Sequence, residues 1–216
     1  LVIRIRHRDT VTMHSFTSLL QQLHDTEHYN LNRETIRPQM LGYKANRAVQ
    51  LGPFMRIQFE DSLTLAYQVQ EILRLEKLQS PENFTDEWLA YKALHSEPGL
   101  YTATLMMELQ SPALLKTHLW QLNRAAENLY LEAGFHQCHA AVNTDLIEPD
   151  GILRGVHFLA FRPSLAFLAE LQTGVPLRLR CDDASFNFRV ALNDTVRKAF
   201  CGCNVSRLTR ALKRFP

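Results

Sequence analysis

The amino-acid sequence predicts a single α+β domain in which mostly antiparallel hairpins of a β-sheet are interspersed with helices. Two patterns predict it. Short segments of alternating apolar and polar residues adjoin each other across tight turns, and segments with helical spacing fall between them irregularly. At 216 residues the chain has the length of one domain of ordinary size. Strict alternation of strands and helices would instead have indicated a doubly wound parallel sheet.

Two helices are predicted before the first hairpin. Apolar residues recur at helical spacing from Phe16 to Leu23, which predicts an amphipathic helix over residues 15–24. A polar stretch follows. Residues 32–41 are expected to form a short second helix, interrupted at Pro38 because proline lacks the N–H that a helix interior needs.

The rest of the chain is interpreted in the same way, from alternation for strands and from helical spacing, caps and Gly or Pro stops for helices. In order, the predicted elements are strands over 47–51 and 54–60, a helix from Asp61 or Ser62 to about 78, a helix near 85–95, a strand over 101–109, a helix from Pro112, strands near 128–133 and 136–142, a loop over 143–154, a strand over 156–161, a short helix between Ser164 and Gly174, and a hairpin with strands over 177–181 and 186–190. Ser80-Pro81 is expected to end the long helix. The strand over 156–161 is strongly apolar and is expected to be central in the sheet.

Composition and missing motifs argue against several classes of function. The chain has 24 Lys and Arg residues against 22 Asp and Glu, a formal net charge of +2, which gives no general reason to expect a nucleic-acid partner. Its eight glycines form no G-x-G-x-x-G or P-loop motif, which argues against Rossmann and P-loop nucleotide enzymes. The G-x-S-x-G of α/β-hydrolases is also missing. No apolar run reaches the ~18 residues of a membrane span, so no membrane association is expected.

The four cysteines are expected to be ordinary reduced thiols of a cytoplasmic protein, since the sequence shows no secretory signal. They are Cys138, Cys181, Cys201 and Cys203. One of them belongs to the cluster His136-Gln137-Cys138-His139. On a strand, Cys138 and His139 point to opposite faces, so three ligands cannot converge there and metal binding is not favoured.

The chain is expected to consist of a domain with two appendages. Residues 1–12 are interpreted as an extension with no part in the fold, residues 13–200 as the single α+β domain, and residues 201–216 as a basic C-terminal tail. The tail carries Arg207, Arg210, Lys213 and Arg214. Such a tail can contact nucleic-acid phosphates, although the more ordinary interpretation is a solvated helix.

A long series of residues resembles a known bacterial family. The series contains Lys44, Arg47, Leu51-Gly52-Pro53, Phe59-Glu60-Asp61, Gln68, Gln70, Glu71, Leu73 and Arg74, and Val156–Phe161 adds a later segment. It is similar to the domain-of-unknown-function family numbered three-five-zero-one, from about Lys44 to Val190. The segment after Trp88 and the tail from Cys201 depart from the family pattern.

The resemblance implies a context rather than a mechanism. Genes of this family often lie beside those of rubrerythrin-like proteins and of iron–sulfur proteins of the heterodisulfide-reductase type. The resemblance therefore implies a cytoplasmic accessory role in electron transfer or peroxide defence, with one of those proteins as the partner.

Polar residues of the same series form the candidate site. Glu60 lies on the polar face of its predicted strand, just before the next helix. Gln68 and Glu71 share one face of that helix. If that face turns toward the strand end, Glu60 and Glu71 converge, and together with His157 they are suitable ligands for a divalent metal such as iron, manganese or zinc. The residues expected to bind an anion, or to neutralise the carboxylates, are Lys44, Arg47, Gln68 and Arg74.

Two other interpretations of these residues stay open. They can form a structural network of ion pairs and amide hydrogen bonds that ties the helix to the sheet, or they can belong to a face on which a partner docks. His157 shares its strand face with Leu159 and Phe161, a position more typical of a hydrogen-bonded core residue than of a metal ligand.

Three functional hypotheses follow from the sequence. The leading one is a non-catalytic accessory protein that docks on a redox or iron–sulfur partner through the helix near 62–78 and the adjoining hairpin. The second is a metal- or anion-binding enzyme that uses Glu60, Glu71 and His157. The third is weak nucleic-acid binding through the basic tail.

Overall fold

The computed structural model describes residues 13–78, 80–93, 99–108, 112–142, 155–184 and 186–201. Within these ranges the chain forms seven helices and eight strands, and the predicted α+β class is confirmed. In order they are α1 (Met13–Leu23), α2 (Thr26–Ala45), β1 (Ala48–Leu51), β2 (Met55–Phe59), α3 (Ser62–Glu76), α4 (Pro81–Ala93), β3 (Tyr101–Met107), α5 (Pro112–Asn128), β4 (Leu129–Ala133), β5 (His136–Val142), β6 (Val156–Phe161), α6 (Leu165–Gln172), β7 (Leu177–Asp183), β8 (Phe186–Ala191) and α7 (Asp194–Cys201). The expected extension over 1–12, the loop predicted over 143–154 and the tail after Cys201 lie outside the described residues.

The eight strands form one antiparallel sheet in the order β1-β2-β3-β6-β5-β4-β7-β8. The hairpins β1–β2, β4–β5 and β7–β8 pair strands that are neighbours in sequence, as the turn signals predict. The apolar strand β6 lies between β3 and β5, so its predicted central position is confirmed.

The described residues divide into two compact units. Unit 1 contains α1, α2 as far as Met40, α3 and α4. Unit 2 contains the segment Leu41–Asp61 and all the elements from β3 onward. None of the described helices is both long and apolar enough to cross a membrane.

The core of unit 2 is built from alternate strand residues and from α5, α6 and α7. In β4, Leu129 and Leu131 are fully buried in the same apolar cluster as Phe167 of α6 and Phe200 of α7. Tyr101 stacks on Phe200 with 3.9 Å between ring centroids. Helix α7, for which the sequence pattern predicts no element, therefore belongs to this core.

Helix α2 differs from the prediction of a short, interrupted helix. It runs without a break through Pro38, and it begins in the polar stretch before residue 32. Its start is fixed by Asp25, whose Oδ1 accepts the backbone N–H of His28 at 2.8 Å, as an N-cap does. Ile36 and Met40 on either side of Pro38 are fully buried. Their burial offsets the hydrogen bond that proline cannot donate.

The break between α3 and α4 also differs from the prediction. Lys77 adopts the left-handed conformation with φ 60°, and the N–H of Leu78 donates to the carbonyl of Leu73 at 2.9 Å, which closes α3 with a Schellman motif. Ser80 does not end α3 but caps α4, since its Oγ accepts the N–H of Asn83 at 3.2 Å. Pro81 occupies the first helical position, which proline favours, so α4 begins four residues before the predicted start.

Candidate functional site

Glu71 on α3 is held by three side chains of unit 1. Arg33 of α2 donates from Nε to Oε1 at 2.8 Å and from Nη2 to Oε2 at 2.9 Å, a bidentate pair. The hydroxyl of Tyr29 donates to Oε1, and Arg74 Nε lies 3.4 Å from the same oxygen. Tyr29 and Arg33 are one turn apart on α2 and so reach one carboxylate together. This network ties α2 to α3.

The network keeps Glu71 ionised. The hydrogen bonds from Arg33 outweigh the effect of burial and, with the Tyr29 hydrogen bond, lower the pKa of Glu71 from its ordinary 4.5 to about 2. Burial and the hydrogen bond to Glu71 raise the pKa of Tyr29, so the phenol stays protonated and remains a donor. The cluster is therefore a fixed ion pair near neutral pH rather than a proton-transfer group.

Two glutamines of α3 also form hydrogen bonds to neighbouring helices. Gln70 is buried, and its Nε2 donates to the carbonyl of Leu23 at 2.6 Å. Gln68 forms a side-chain hydrogen bond with Tyr91 of α4. These contacts tie α3 to the end of α1 and to α4. Gln68 and Glu71 thus join α3 to the helices α4 and α2, whereas the structural-network interpretation of the sequence expects contacts to the sheet.

The C-terminal end of α3 exposes apolar surface beside that network. Leu75 is 69% exposed and Leu78 is 43% exposed. Arg74 and Leu75 stand three and four residues after Glu71, on the same side of the helix. We define Arg74, Leu75 and Leu78 as the α3 end. The Schellman closure and the Glu71 network fix the backbone beneath it.

Two of the predicted basic residues, Lys44 and Arg47, belong to unit 2, whereas the α3 network belongs to unit 1. Arg47 Nε is 3.0 Å from Asp61 Oδ2, and its guanidinium lies over the ring of Tyr43, 3.7 Å from the centroid. The Tyr43 hydroxyl donates to the same Asp61 oxygen at 2.5 Å, and burial raises the pKa of that phenol. The carbonyl of Lys44 accepts from Gln58 Nε2 at 3.3 Å. Arg47 is therefore engaged in an ion pair within its own unit.

Glu60 and His157 lie on opposite faces of the sheet. Glu60 Oε1 accepts the hydroxyl proton of Thr104 at 2.9 Å. His157 pairs directly with Leu105, the next residue along β3, so its side chain lies on the other face. Its strand shows burial at 157, 159 and 161, which agrees with a core position for His157. The structure does not bring these two side chains together.

The third residue of the predicted metal site, Glu71, belongs to unit 1 and has the partners described above. Among the residues that the structure describes, no group of three or more His, Cys, Asp or Glu side chains is placed to hold a metal ion. The divalent-metal site of Glu60, Glu71 and His157 therefore stays a prediction that this geometry does not support.

A different charged cluster lies on β4, β7 and β8. Arg180 Nη1 donates to Glu132 Oε2 at 2.7 Å, Arg189 Nη2 donates to Oε1 at 2.6 Å, and Arg178 Nη1 lies 3.5 Å from Oε1. Glu132 is buried. Burial alone would raise the pKa of Glu132, but the hydrogen bonds from Arg180 and Arg189 outweigh it and lower that pKa. We define Glu132, Arg178, Arg180 and Arg189 as the arginine face.

A second acid–phenol pair borders the arginine face. Tyr130 donates its hydroxyl proton to Asp182, and Arg180 Nη2 donates to the other Asp182 oxygen at 3.1 Å. Burial and the hydrogen bond to Asp182 raise the pKa of Tyr130 to about 12. Arg180 is thus held by two carboxylates, Glu132 and Asp182.

The His-Cys cluster of β5 has the geometry that the strand period predicts. Cys138 is buried, and His139 is exposed on the other face. Burial raises the pKa of the Cys138 thiol to about 11 and also raises that of Cys181. Both cysteines are free thiols, as expected.

Comparison with known proteins identifies the family. The sequence profile of DUF3501, a protein family of unknown function, matches residues 19–203, which is most of the chain and spans both units. The chain belongs to the DUF3501 family. A solved structure of a protein of unknown function from Burkholderia pseudomallei is similar to this DUF3501 protein, with 27% identity and a TM-score of 0.74, over 90% of this chain and 98% of that one. No curated protein matches the sequence.

The arginine face is the part of this DUF3501 protein that sequence reasoning missed. Arg178 and Arg180 alternate with apolar residues, which predicts a strand with one charged face. Glu132 and Arg189 belong to other strands, and the pairings Glu132 with Arg178 and Arg180 with Arg189 depend on the register of the sheet. A sequence does not specify the register between strands that are distant along the chain. The alternation of Arg178 and Arg180 with apolar residues therefore predicts the strand, but it does not predict that these arginines meet Glu132 and Arg189.

Proposed function

We propose that this DUF3501 protein is a non-catalytic, cytoplasmic accessory protein that docks on a partner protein through the α3 end. The partner class that we propose is a redox protein of the rubrerythrin-like or iron–sulfur kind, which is what the family resemblance implies. The observation that carries the proposal is the pair of exposed leucines, Leu75 and Leu78, beside a fixed ion-pair network.

The exposed leucines provide the apolar part of the docking surface. Covering a leucine side chain that was open to water contributes about 1.5 kcal/mol, so two leucines contribute a useful share of the energy of a small interface. Weak electron-transfer encounters typically bury less than about 1,200 Å². An interface of that class needs only a few apolar anchors with charged side chains around them, and Arg74 provides such a charge.

The network below the α3 end reduces the cost of docking. Arg33 and Tyr29 hold Glu71, and the Schellman motif fixes the turn at Lys77. A surface that is already ordered loses less conformational entropy when a partner binds. The contacts of Arg33 and Tyr29 with Glu71 therefore support a binding role for the adjacent α3 end.

Site-specific photo-crosslinking tests the proposal. A photoreactive amino acid replaces Leu75 in one variant and Leu31 in a control, at native expression level. Leu31 is 78% exposed and lies on α2, on the side of the helix away from Tyr29 and Arg33. We expect a single crosslinked partner from position 75, with iron detected by metal analysis of that partner after purification. Equal crosslinking from both positions, or a partner without iron, would contradict the proposal.

A further inference from the structure

We infer that the arginine face of unit 2 is a binding site for a carboxylate-bearing ligand. It lies on strands β4, β7 and β8 of unit 2, and the inference does not depend on the proposed function. The ligand's carboxylate oxygens would accept N–H groups of Arg178 and Arg189. Three observations support the site: the convergence of the guanidinium groups, their excess charge, and their unused donors.

The convergence is set by the sheet. Glu132 pairs with Arg178 across β4–β7, and Arg180 pairs with Arg189 across β7–β8, so the four side chains share one face. Glu132 is only 6% exposed, which is unusual for a carboxylate, and its two oxygens lie within 3.5 Å of nitrogen atoms from all three arginines. A buried carboxylate in this position orders the guanidinium groups before any ligand arrives.

The charges on this face do not cancel. Among the residues of this face that the structure describes, three guanidinium groups stand against the two carboxylates of Glu132 and Asp182, and the hydrogen bonds from the arginines and from Tyr130 keep both acids ionised. One positive charge is left. The face therefore suits one further monoanionic group, which a carboxylate supplies.

The unused donors belong mainly to two arginines. Arg180 is already shared between Glu132 and Asp182. Arg189 makes one short bond to Glu132, and its side chain is 54% exposed. Within the described part of the chain, the Arg178 guanidinium contacts Glu132 alone, at 3.5 Å, and its side chain is 29% exposed. Each guanidinium has five N–H donors, so both arginines retain donors that solvent reaches.

The chemistry of the ligand follows from the guanidinium plane. Two N–H groups of one arginine match the two oxygens of a carboxylate, and Glu132 shows that these arginines already coordinate such a group. The carboxylate can come from a free organic acid or from an acidic side chain of a protein. Both sources share the chemistry of recognition, and the experiment separates them.

The test uses the full chain in calorimetric titrations at low salt. Citrate and a hexaglutamate peptide are the two probes, and inorganic phosphate is the comparison anion. The double variant Arg178→Gln/Arg189→Gln removes the proposed donors. The matched control is Arg56→Gln, because Arg56 is also a partly exposed arginine on a strand, where it forms an ion pair with Glu108 at 3.0 Å. We expect saturable binding of at least one probe, at least tenfold weaker in the double variant and unchanged in the control.

The outcomes decide the proposal. Binding of citrate alone indicates a free organic acid, and binding of the peptide alone indicates an acidic protein segment. No saturable binding of either probe, equal weakening in the control, or tighter binding of inorganic phosphate than of both probes would overturn the assignment to a carboxylate ligand.

Two further measurements keep the test valid if the double variant does not fold. In the wild-type chain, ¹⁵N NMR shifts on titration should concentrate on β4, β7 and β8, and shifts spread evenly over the chain would overturn the site. Glu132→Gln removes the carboxylate that orders the three arginines and should bind the same probe at least threefold more weakly. Attraction by net positive charge alone predicts tighter binding in this variant, and that result would overturn the site.

Discussion

Arg33 and Glu71 form a two-point ion pair between α2 and α3, with N–O distances of 2.8 and 2.9 Å. The pair gives Glu71, which the sequence presents as a candidate metal ligand, a charged partner within unit 1. It also positions Arg74 and Leu75, which follow Glu71 within one turn of the same helix. Glu71 therefore contributes contacts that hold α2 and α3 together, and it lies beside the docking surface that we propose.

Replacing Glu71 with glutamine should lower the free energy of unfolding by about 2 kcal/mol, because Arg33 loses the carboxylate that it holds at two points. The matched control is Glu34→Gln. Glu34 also faces Arg33, at 3.7 Å, but its side chain is 95% exposed, so its loss should cost less than about 0.5 kcal/mol. Urea unfolding of the three proteins measures the difference. Equal losses in both variants would contradict the role assigned to Glu71.

The Glu71 ion pair should also make stability depend on pH in the acid range. The folded-state pKa of about 2 lies below the ordinary 4.5, so the unfolded chain binds more protons between these values. The contribution of Glu71 is therefore present above about pH 4.5 and is lost as the pH falls towards 2. Allowing for solvent screening, we expect most of the wild-type advantage of about 2 kcal/mol over Glu71→Gln to disappear between pH 6 and pH 2.5. An advantage that does not change with pH would argue against the ion pair.

The α+β class and most strands could be predicted from local pattern, and the exceptions have physical causes. Alternation of buried and polar residues identified β2, and the apolar run identified β6 as an interior strand. The predicted interruption of α2 at Pro38 is wrong, because the burial of Ile36 and Met40 outweighs the tendency of proline to break a helix. Only the register of the sheet brings Glu132 to the arginines.

The predicted metal site also depends on the register between strands, which the sequence does not specify. Glu60 and His157 belong to suitable residue types, but the pairing of His157 with Leu105 places them on opposite faces of the sheet. A change of one residue in that register would reverse the face of His157. Residue type and helical spacing were therefore enough to find Gln68, Glu71 and Arg74 as neighbours, and not enough to assemble a site across strands.

The turn between β4 and β5 should not accept a side chain at Gly134. Gly134 has φ +57°, and an added Cβ would lie 2.4 Å from Glu170 Oε1. Gly134→Ala should reduce stability by about 1–2 kcal/mol, mainly through the backbone, because the Glu170 side chain can move aside. Gly42→Ala is the control, since that helical glycine has open space around its Cβ position and should gain up to about 1 kcal/mol. Thermal unfolding of both variants checks the contrast, and a neutral Gly134→Ala would show that the turn is less constrained.

The buried thiols should react slowly while the protein is folded. Burial raises the pKa of Cys138 to about 11 and raises that of Cys181, so both are protonated near neutral pH. Iodoacetamide at pH 8, followed by mass spectrometry of the peptides, should label these two positions at least tenfold more slowly in the folded protein than in urea. Rapid labelling of Cys138 in the folded protein would contradict its burial in the core.

The central claim, docking through the α3 end, is tested most directly by the dissociation constant for the partner captured at position 75. Leu75→Glu should weaken binding at least tenfold, since it places a hydrated charge in the contact. Leu31→Glu, a change of the same kind on α2, should leave the dissociation constant within a factor of two, and both variants should keep the wild-type unfolding temperature. Equal affinities for Leu75→Glu and Leu31→Glu would contradict the claim.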